Sequence, residues 1–517
     1  MSTFRIRRIA FVLFIAVQVI RGDGAFSQSG SPRLRVFISD LHMGVGRQSD
    51  GRWNNFEDFR WSDEFAAFLA EIDRVGRGAT DLILVGDAFE LWQSTADDCI
   101  YPEKDFGCTE ADAIGRMKRV VANHRDELAA LGAFAKNGTN RVVLVPGNHD
   151  AALLFDGVAD IVVNTIGAGS AVEVSRSGAW ISPDGAIYAE HGHEIGKEVN
   201  RFDGWPRPFL GNPPHLRRPW GEQFVQQYYN RFESKYPIID NILSEGVGVH
   251  YAVKAEGVAE TAADIGRFVS FFLTKLSWAQ FNGVLGAPDN AAPPEWNFDA
   301  IRRQGDQFFV ESLPPNDPLR SAAEQALKGG LLGLSMRDLT DDDIRAICDA
   351  RAALNEAQLR VQLVSPPRPC PVKTLGAMSQ SLQRSRDAIL REHLQARSEE
   401  LKQVQPNAQT FQLFIFGHTH EAQSPFEPMS GLSRWQPIVI NTGAWQRVIS
   451  PEALERWRGA RPASVVLSAL PEALPPCYSV VVVEPYQVSP KASLRYWTNR
   501  DGRWQFADSC RWTPPAK

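Results

Sequence analysis

Five short apolar runs constrain this chain more than any other feature, because each stops abruptly at a polar cluster of the same character. Leu34-Arg35-Val36-Phe37-Ile38-Ser39 ends in Asp40-Leu41-His42, and Asp81 to Val85 ends in Gly86-Asp87. Val142-Val143-Leu144-Val145 breaks at Pro146-Gly147 into Asn148-His149-Asp150. Ala186-Ile187-Tyr188-Ala189 leads into Glu190-His191-Gly192-His193-Glu194, and Gln412 to Phe416 into Gly417-His418-Thr419-His420. Runs of this kind bounded by Gly and Pro read as buried strands. In open α/β sheets the loops at the carboxyl ends of strands are where ligands and catalytic groups gather.

A single such run is an ordinary strand followed by a polar turn, but the recurrence brings Asp40, His42, Asp87, Asn148, His149, His191, His418 and His420 to one sheet edge. Histidine and carboxylate are borderline-to-hard ligands, suited to Zn, Mn or Fe. That many ligands exceed one tetrahedral site, so a pair of ions bridged by a carboxylate fits better. Such a pair clamps the attacking and leaving oxygens of a phosphoryl displacement.

The ordered set D-x-H, G-D-x-x-[DE], G-N-H-D, H-G-H and G-H-x-H resembles the calcineurin-like metallophosphoesterase superfamily over about residues 34–194 and 411–500. The resemblance implies a four-layer α/β/β/α sandwich and leaves unexplained the large, mainly helical insertion between its two parts. It also implies that Asp40, His42 and His420 hold one metal, that Asn148, His191 and His418 hold the second, and that Asp87 bridges them. A hydroxide between the metals would attack phosphorus in line. His149 would stabilise charge on the phosphoryl oxygens or protonate the leaving group, and Asp150 would orient His149. His193 is the less clear histidine of its motif, and Glu90 occupies a position behind the ligands. No Tyr follows Asp87, which sets the purple acid phosphatases aside. Gly86-Asp87-Ala88-Phe89-Glu90-Leu91-Trp92 looks like the branch containing UDP-2,3-diacylglucosamine pyrophosphohydrolase, yet His149 stands where that enzyme typically has Arg, so its substrate does not carry over.

Between the motifs, Trp61 to Val75 and about Glu110 to Leu131 have helical spacing, and Ile161-Val162-Val163 and Ala171 to Val174 read as weaker strands. From Ile195 to about Gln409 the strand rhythm is lost. Arg201 to Trp220 reads as loop and the rest as mainly helical, ending in a long polar helix from about Leu375 to Val404. Ile438-Val439-Ile440 is a further strand, and Tyr478 to Glu484, Ser493 to Trp497 and Trp504 to Phe506 form an antiparallel ladder turned at Asn499 to Gly502. The expected organisation is a targeting segment at 1–27, a catalytic core in two parts at 28–194 and 410–517, and a helical insertion or cap at 195–409.

The amino end carries a basic Arg5-Ile6-Arg7-Arg8, an apolar stretch from Ile9 to Ile20, and small residues at Ala25 and Ser27. That is the pattern of a signal peptide for a periplasmic or extracellular protein, with an uncleaved anchor as the alternative. The twelve residues of that stretch rise about 18 Å, short of a roughly 30 Å bilayer core. Six cysteines without a CxxC pattern fit disulfides in an exported chain, Cys99 with Cys108 first, then Cys348 with Cys370 and Cys477 with Cys510.

A net charge of −6 advertises no basic groove, so no nucleic-acid partner is expected and a nuclease of the same superfamily is the less favoured alternative. A catalytically silent metal-binding scaffold or adaptor is the other alternative, and it predicts a lost ligand or a lost His149. Arg201, Arg207, Arg217 and Arg218 could clamp phosphate or form a solvated basic loop. Ile265 to Trp278 could contact a membrane peripherally or dock a lipid tail, while a buried cap helix is the blander reading. Trp53, Trp61 and Trp92 could stack on a base or sugar or pack in the core. The reading is an exported, dimetal-dependent phosphoesterase acting on a phosphate mono- or diester or a pyrophosphate, in a phosphorylated small molecule or a lipid-linked substrate.

Overall fold

The computed structural model describes residues 33–243, 386–404 and 410–510, apart from 94–98, 100, 102–104, 196–199, 220, 223–224 and 430–433. The targeting segment, the apolar stretch at Ile265 to Trp278 and the Cys348–Cys370 pair lie outside the described residues.

Two sheets face each other. In the first, β1 (Leu34–Ile38), β2 (Thr80–Val85), β4 (Arg141–Val145) and β5 (Val172–Val174) run parallel, and β13 (Cys477–Val483), β14 (Ala492–Arg500) and β15 (Arg503–Ala507) extend it antiparallel from β1. In the second, β7 (Ile187–Glu190), β10 (Leu413–Phe416) and β12 (Ile438–Asn441) are parallel. Antiparallel β6 (Ala179–Ile181) and β11 (Gln423–Phe426) form its edges.

Because successive strand residues point to opposite faces, each apolar run serves two cores. Phe37, Ile83, Val85, Val143 and Val145 meet Ile187, Ala189, Leu413, Ile415 and Ile440 between the sheets. Val36, Leu82, Leu84, Val142 and Leu144 face the other way, toward helices α1 (Ser62–Gly76), α2 (Glu110–Asn123), α3 (Arg125–Lys136) and α4 (Asp156–Ile166). On the outer face of the second sheet, Leu390, Leu394 and Leu401 of α5 (Arg386–Val404) pack on Tyr188, Phe414, Phe416 and Val439. The layers are therefore helix, sheet, sheet, helix, the α/β/β/α sandwich expected. Each fully buried side chain of this size contributes on the order of 2 kcal/mol through burial. Among the described residues no helix is long and apolar enough to cross a membrane.

Several local expectations need correction. Ile161-Val162-Val163 is helical, within α4. Its β-branched residues suggested a strand, but Val158, Ala159, Val162 and Ile166 form one buried stripe at helical spacing, and Gly167 ends the helix in a left-handed conformation. The single helix expected from Glu110 is two, broken at His124. Arg201 to Trp220 is not all loop: β8 (Phe209–Leu210) and β9 (His215–Arg217) pair with each other, and β9 pairs with β3 (Phe106–Thr109), in a third, small sheet. Disulfides join Cys99 to Cys108 and Cys477 to Cys510.

The His124 side chain at this break is held by charge. Its fully buried ring lies between two carboxylates, with Nε2 at 3.2 Å from Glu57 and Nδ1 at 3.6 Å from Glu127. Burial disfavours charge there, but Glu57 and Glu127 prevail and raise the His124 pKa to about 10. Glu57 in turn accepts backbone N–H bonds from Gly44, Gly46 and Phe59. The loop that follows His42 is thus folded around a buried ion pair.

Candidate metal centre

The carboxyl ends of β1, β2 and β4 in one sheet, and of β7 and β10 in the other, open onto the same place, and five loops bring the chemistry there. Asp40, His42, Asp87, His418 and His420 all have positive φ, between 49° and 70°. Non-glycine residues hold such conformations at a cost of order 1–3 kcal/mol each, and only where surrounding contacts enforce them. Here the loops are zipped together: Leu41 and His42 donate N–H bonds to the Asp87 carbonyl at 2.9 and 3.0 Å, and Gly417 donates to the His191 carbonyl at 2.8 Å. Two glycines permit the close approach. A Cβ on Gly86 (φ +87°) would lie 2.2 Å from His191 Nδ1, and one on Gly147 would lie 2.2 Å from Asp87 Oδ1.

Two groups of side chains result. In the first, Asp40, His42 and His420 bring ligand atoms within 4.8 Å of one another. Asp40 Oδ1 lies 3.4 Å from His420 Nε2 and 3.9 Å from His42 Nε2. Ligands each about 2.1 Å from one ion stand roughly 3–4 Å apart, so the spacing fits a shared ion. Asp40 Oδ1 and His42 Nε2 are buried and have no hydrogen-bond partner among the described residues. The other Asp40 oxygen is occupied, accepting from Ser39 Oγ and from the His418 N–H. In the second group, His191 Nε2 lies 2.8 Å from Asp87 Oδ2 and 3.0 Å from Asn148 Oδ1, and His418 joins Asp87 and His191. His191 Nδ1 faces the Val85 carbonyl at 2.9 Å, which fixes the tautomer with Nε2 free to coordinate. Asp87 stands between the groups, since the same Oδ2 lies 4.0 Å from His42 Nε2.

Electrostatics point the same way. Burial should lower the His191 pKa, yet Asp87 and Asp40 raise it to about 9. Burial should raise Asp87, yet His191 and His149 hold it well below the usual carboxylate range. A field that keeps a buried imidazole protonated also favours divalent cations in its place. The donor set therefore fits two metal ions.

His149 lies next to both groups. Its backbone N–H donates to Asp87 Oδ1 at 2.8 Å, Trp92 stacks on its ring at 4.0 Å between centroids, and its Nδ1 meets Glu90 Oε2 at 2.5 Å. Asp150, expected to orient His149, instead accepts N–H bonds from Gly147, Ala88 and Phe89, bracing the turns that carry Asp87 and Asn148. The carboxylate at the His149 ring is that of Glu90. Glu90 Oε2 also meets His42 Nδ1 at 3.0 Å, and its Oε1 accepts from the N–H groups of Trp92 and Gln93. Burial would raise its pKa, but His149 and His42 bring it down to about 2.

His193 is 2% exposed, its ring nitrogens lack hydrogen-bond partners among the described residues, and it packs against Trp205 beside His191 and His418. Of the arginines, Arg201 meets Glu194 at 3.2 Å, Arg217 meets Asp203 at 3.8 Å, and Arg218 donates to Gln226. Arg207 is exposed. Trp61 is core, packed on Tyr478 and Arg447, and Trp53 lies under the Arg47 guanidinium. Sequence reasoning missed Ser39 and Thr442, whose hydroxyls meet at 2.7 Å behind Asp40. No local pattern marks that pair.

Two facing sheets whose strand ends present neighbouring groups of candidate metal ligands fit a metal-dependent hydrolase. Residues 35–259 match the family model described as calcineurin-like phosphoesterase. That match supports a calcineurin-like phosphoesterase domain over those residues, and with it metal-dependent hydrolysis of phosphoric esters. No curated protein and no solved structure matches it significantly.

Proposed function

We propose that the protein is an exported phosphoesterase in which Asp40, His42 and His420 hold one divalent metal, Asn148, His191 and His418 hold another, and Asp87 bridges the two. The observation that carries this reading is the placement of Asp87 Oδ2 within reach of both His191 and His42. Two such ions supply Lewis-acid activation of water and of the phosphoryl oxygens. The chain's own part is orientation and proton handling. With Nδ1 committed to Glu90, His149 offers Nε2 to a phosphoryl oxygen or leaving group. The Trp92 face fixes the plane of that ring, and Glu90 couples it to His42, so one carboxylate sets both a ligand and the proton-bearing group.

The substrate in this reading is a phosphorylated small molecule or lipid-linked phosphate, with Arg201, Arg207, Arg217 and Arg218 as the residues to test for phosphate binding. Net negative charge argues against a nucleic-acid substrate. Export is supported by the disulfides Cys99–Cys108 and Cys477–Cys510, since such bonds persist in oxidising compartments. The test is hydrolysis of p-nitrophenyl phosphate, bis-p-nitrophenyl phosphate and a nucleotide diphosphate sugar, with Mn²⁺, Zn²⁺ or chelator. Metal-dependent turnover of one ester supports the reading and names the class. Silence on all three with two metals bound would point to a large or lipid-linked substrate, and silence without bound metal would favour the scaffold.

A further inference from the structure

A third group of acidic side chains lies behind Glu90, away from the strand-end ligands. Asp58, Glu233 and Asp240 each bring a carboxylate oxygen within 4.8 Å of the others. Asp58 and Glu233 are buried, and among the described residues Glu233 Oε1 has no hydrogen-bond partner. Carboxylates alone would not make a site, but a neutral side chain also reaches into this one. Gln93, 3% exposed, donates Nε2–H bonds to Glu233 Oε2 at 2.7 Å and Asp240 Oδ2 at 2.9 Å, while its own buried Oε1 has no partner among the described residues.

Asp58 and Glu233 are buried carboxylates of like charge standing close together. Arg60, the guanidinium whose field reaches Asp58 and Glu233, is directed to Glu472 and to the carbonyls of Glu57 and Asn54. Burial, and then repulsion from Asp240, pushes both Asp58 and Glu233 well above the ordinary carboxylate range. A half-turn of the Gln93 amide exchanges Nε2 for Oε1 and turns a donor to the carboxylates into a fourth oxygen ligand.

We propose that Asp58, Glu233, Asp240 and Gln93 bind one hard divalent cation of the calcium class, separate from the groups around Asp87. The donors are all oxygen and include no imidazole, which selects calcium or magnesium over the borderline metals of the strand-end groups. Calcium fits the better of the two, because it tolerates irregular oxygen cages where magnesium demands an octahedron. The ion would tie together three stretches of chain: the loop after His42 through Asp58, the turn after Glu90 through Gln93, and the segment carrying Glu233 and Asp240. That last segment is joined to Ile449 by the bonds Leu243 N–H to Ile449 O and Ile449 N–H to Asn241 O.

The test uses the full chain carrying Asp87→Asn, so that binding at the strand-end groups is suppressed, stripped with chelator and titrated calorimetrically with calcium chloride. One calcium equivalent is expected to bind and to raise the melting temperature. Adding Glu233→Gln is expected to weaken that binding at least about tenfold, as loss of one ligand charge should. No heat and no melting shift at millimolar calcium would overturn the site. Equal affinity with and without Glu233→Gln in a protein of native circular dichroism would also overturn it. If Glu233→Gln does not fold, Asp58→Asn carries the same comparison.

Discussion

His124 gives the sharpest energetic prediction. Its pKa is raised from an unfolded value of 6.5 to about 10 by Glu57 and Glu127, despite burial. Between those values the folded state keeps a proton that the unfolded state has released. The slope of stability with pH is then negative, about 1.4 kcal/mol per unit. The contribution is fully present below about pH 6.5 and fades as pH rises through about 10, so moving from pH 7 to 9 should cost roughly 2–3 kcal/mol from this group alone. His124→Gln keeps a donor near Glu57 but removes the charge. It should be less stable than the parent by about 3–5 kcal/mol at pH 7, the cost of leaving a buried charge unpaired, and the two should converge above about pH 10. Urea unfolding followed by tryptophan fluorescence at pH 6, 7, 8, 9 and 10 reads both curves, and their difference removes the titration of other groups. A gap between parent and variant that stays the same from pH 6 to 10 would show that His124 contributes by packing and not by charge.

Other outcomes are equally specific. Asp87→Ala should lose bound metal and turnover together by elemental analysis and ester hydrolysis, and full metal stoichiometry would contradict its bridging position. His149→Ala should keep its metals while turnover falls by about two to four decades. Glu90→Gln should lower turnover and also weaken metal binding by about 10–100-fold, because it holds both His149 and His42; unchanged metal affinity would limit its action to His149. Mass mapping of the non-reduced protein should find Cys99 linked to Cys108 and Cys477 to Cys510, and free thiols at these positions would remove the main support for export.

Much of the centre was legible because its residues obey a local rule: each follows a strand whose alternating apolar residues are visible in sequence. Asp40, Asp87, Asn148, His191 and His418 could be read that way. What could not be read depends on contacts between distant positions. Glu90 rather than Asp150 meets His149 because of how the turn after β2 lies against the turn after β4. Ser39 finds Thr442 across 403 positions. His124, at the break between two helices, finds its partner Glu57 67 residues earlier. The strand at Gln423–Phe426 was invisible because it is an exposed edge containing a proline, with no alternating pattern to mark it. In α4 the β-branched residues misled, and only the spacing of its buried face identifies the helix.

The pairing of β13 with β1, and of β10 with β7, has a consequence for the order of events during synthesis. Asp40 and His418 touch across 378 positions. A nascent chain therefore emerges with His42, Asp87 and His191 long before the residues that complete either group. Strand β1 waits as an unsatisfied edge until β13 arrives, which makes the early half slow to close and open to misassociation. Neither group is complete until His418 and His420 have been made, so full metal affinity is expected only after β10 has emerged and paired with β7.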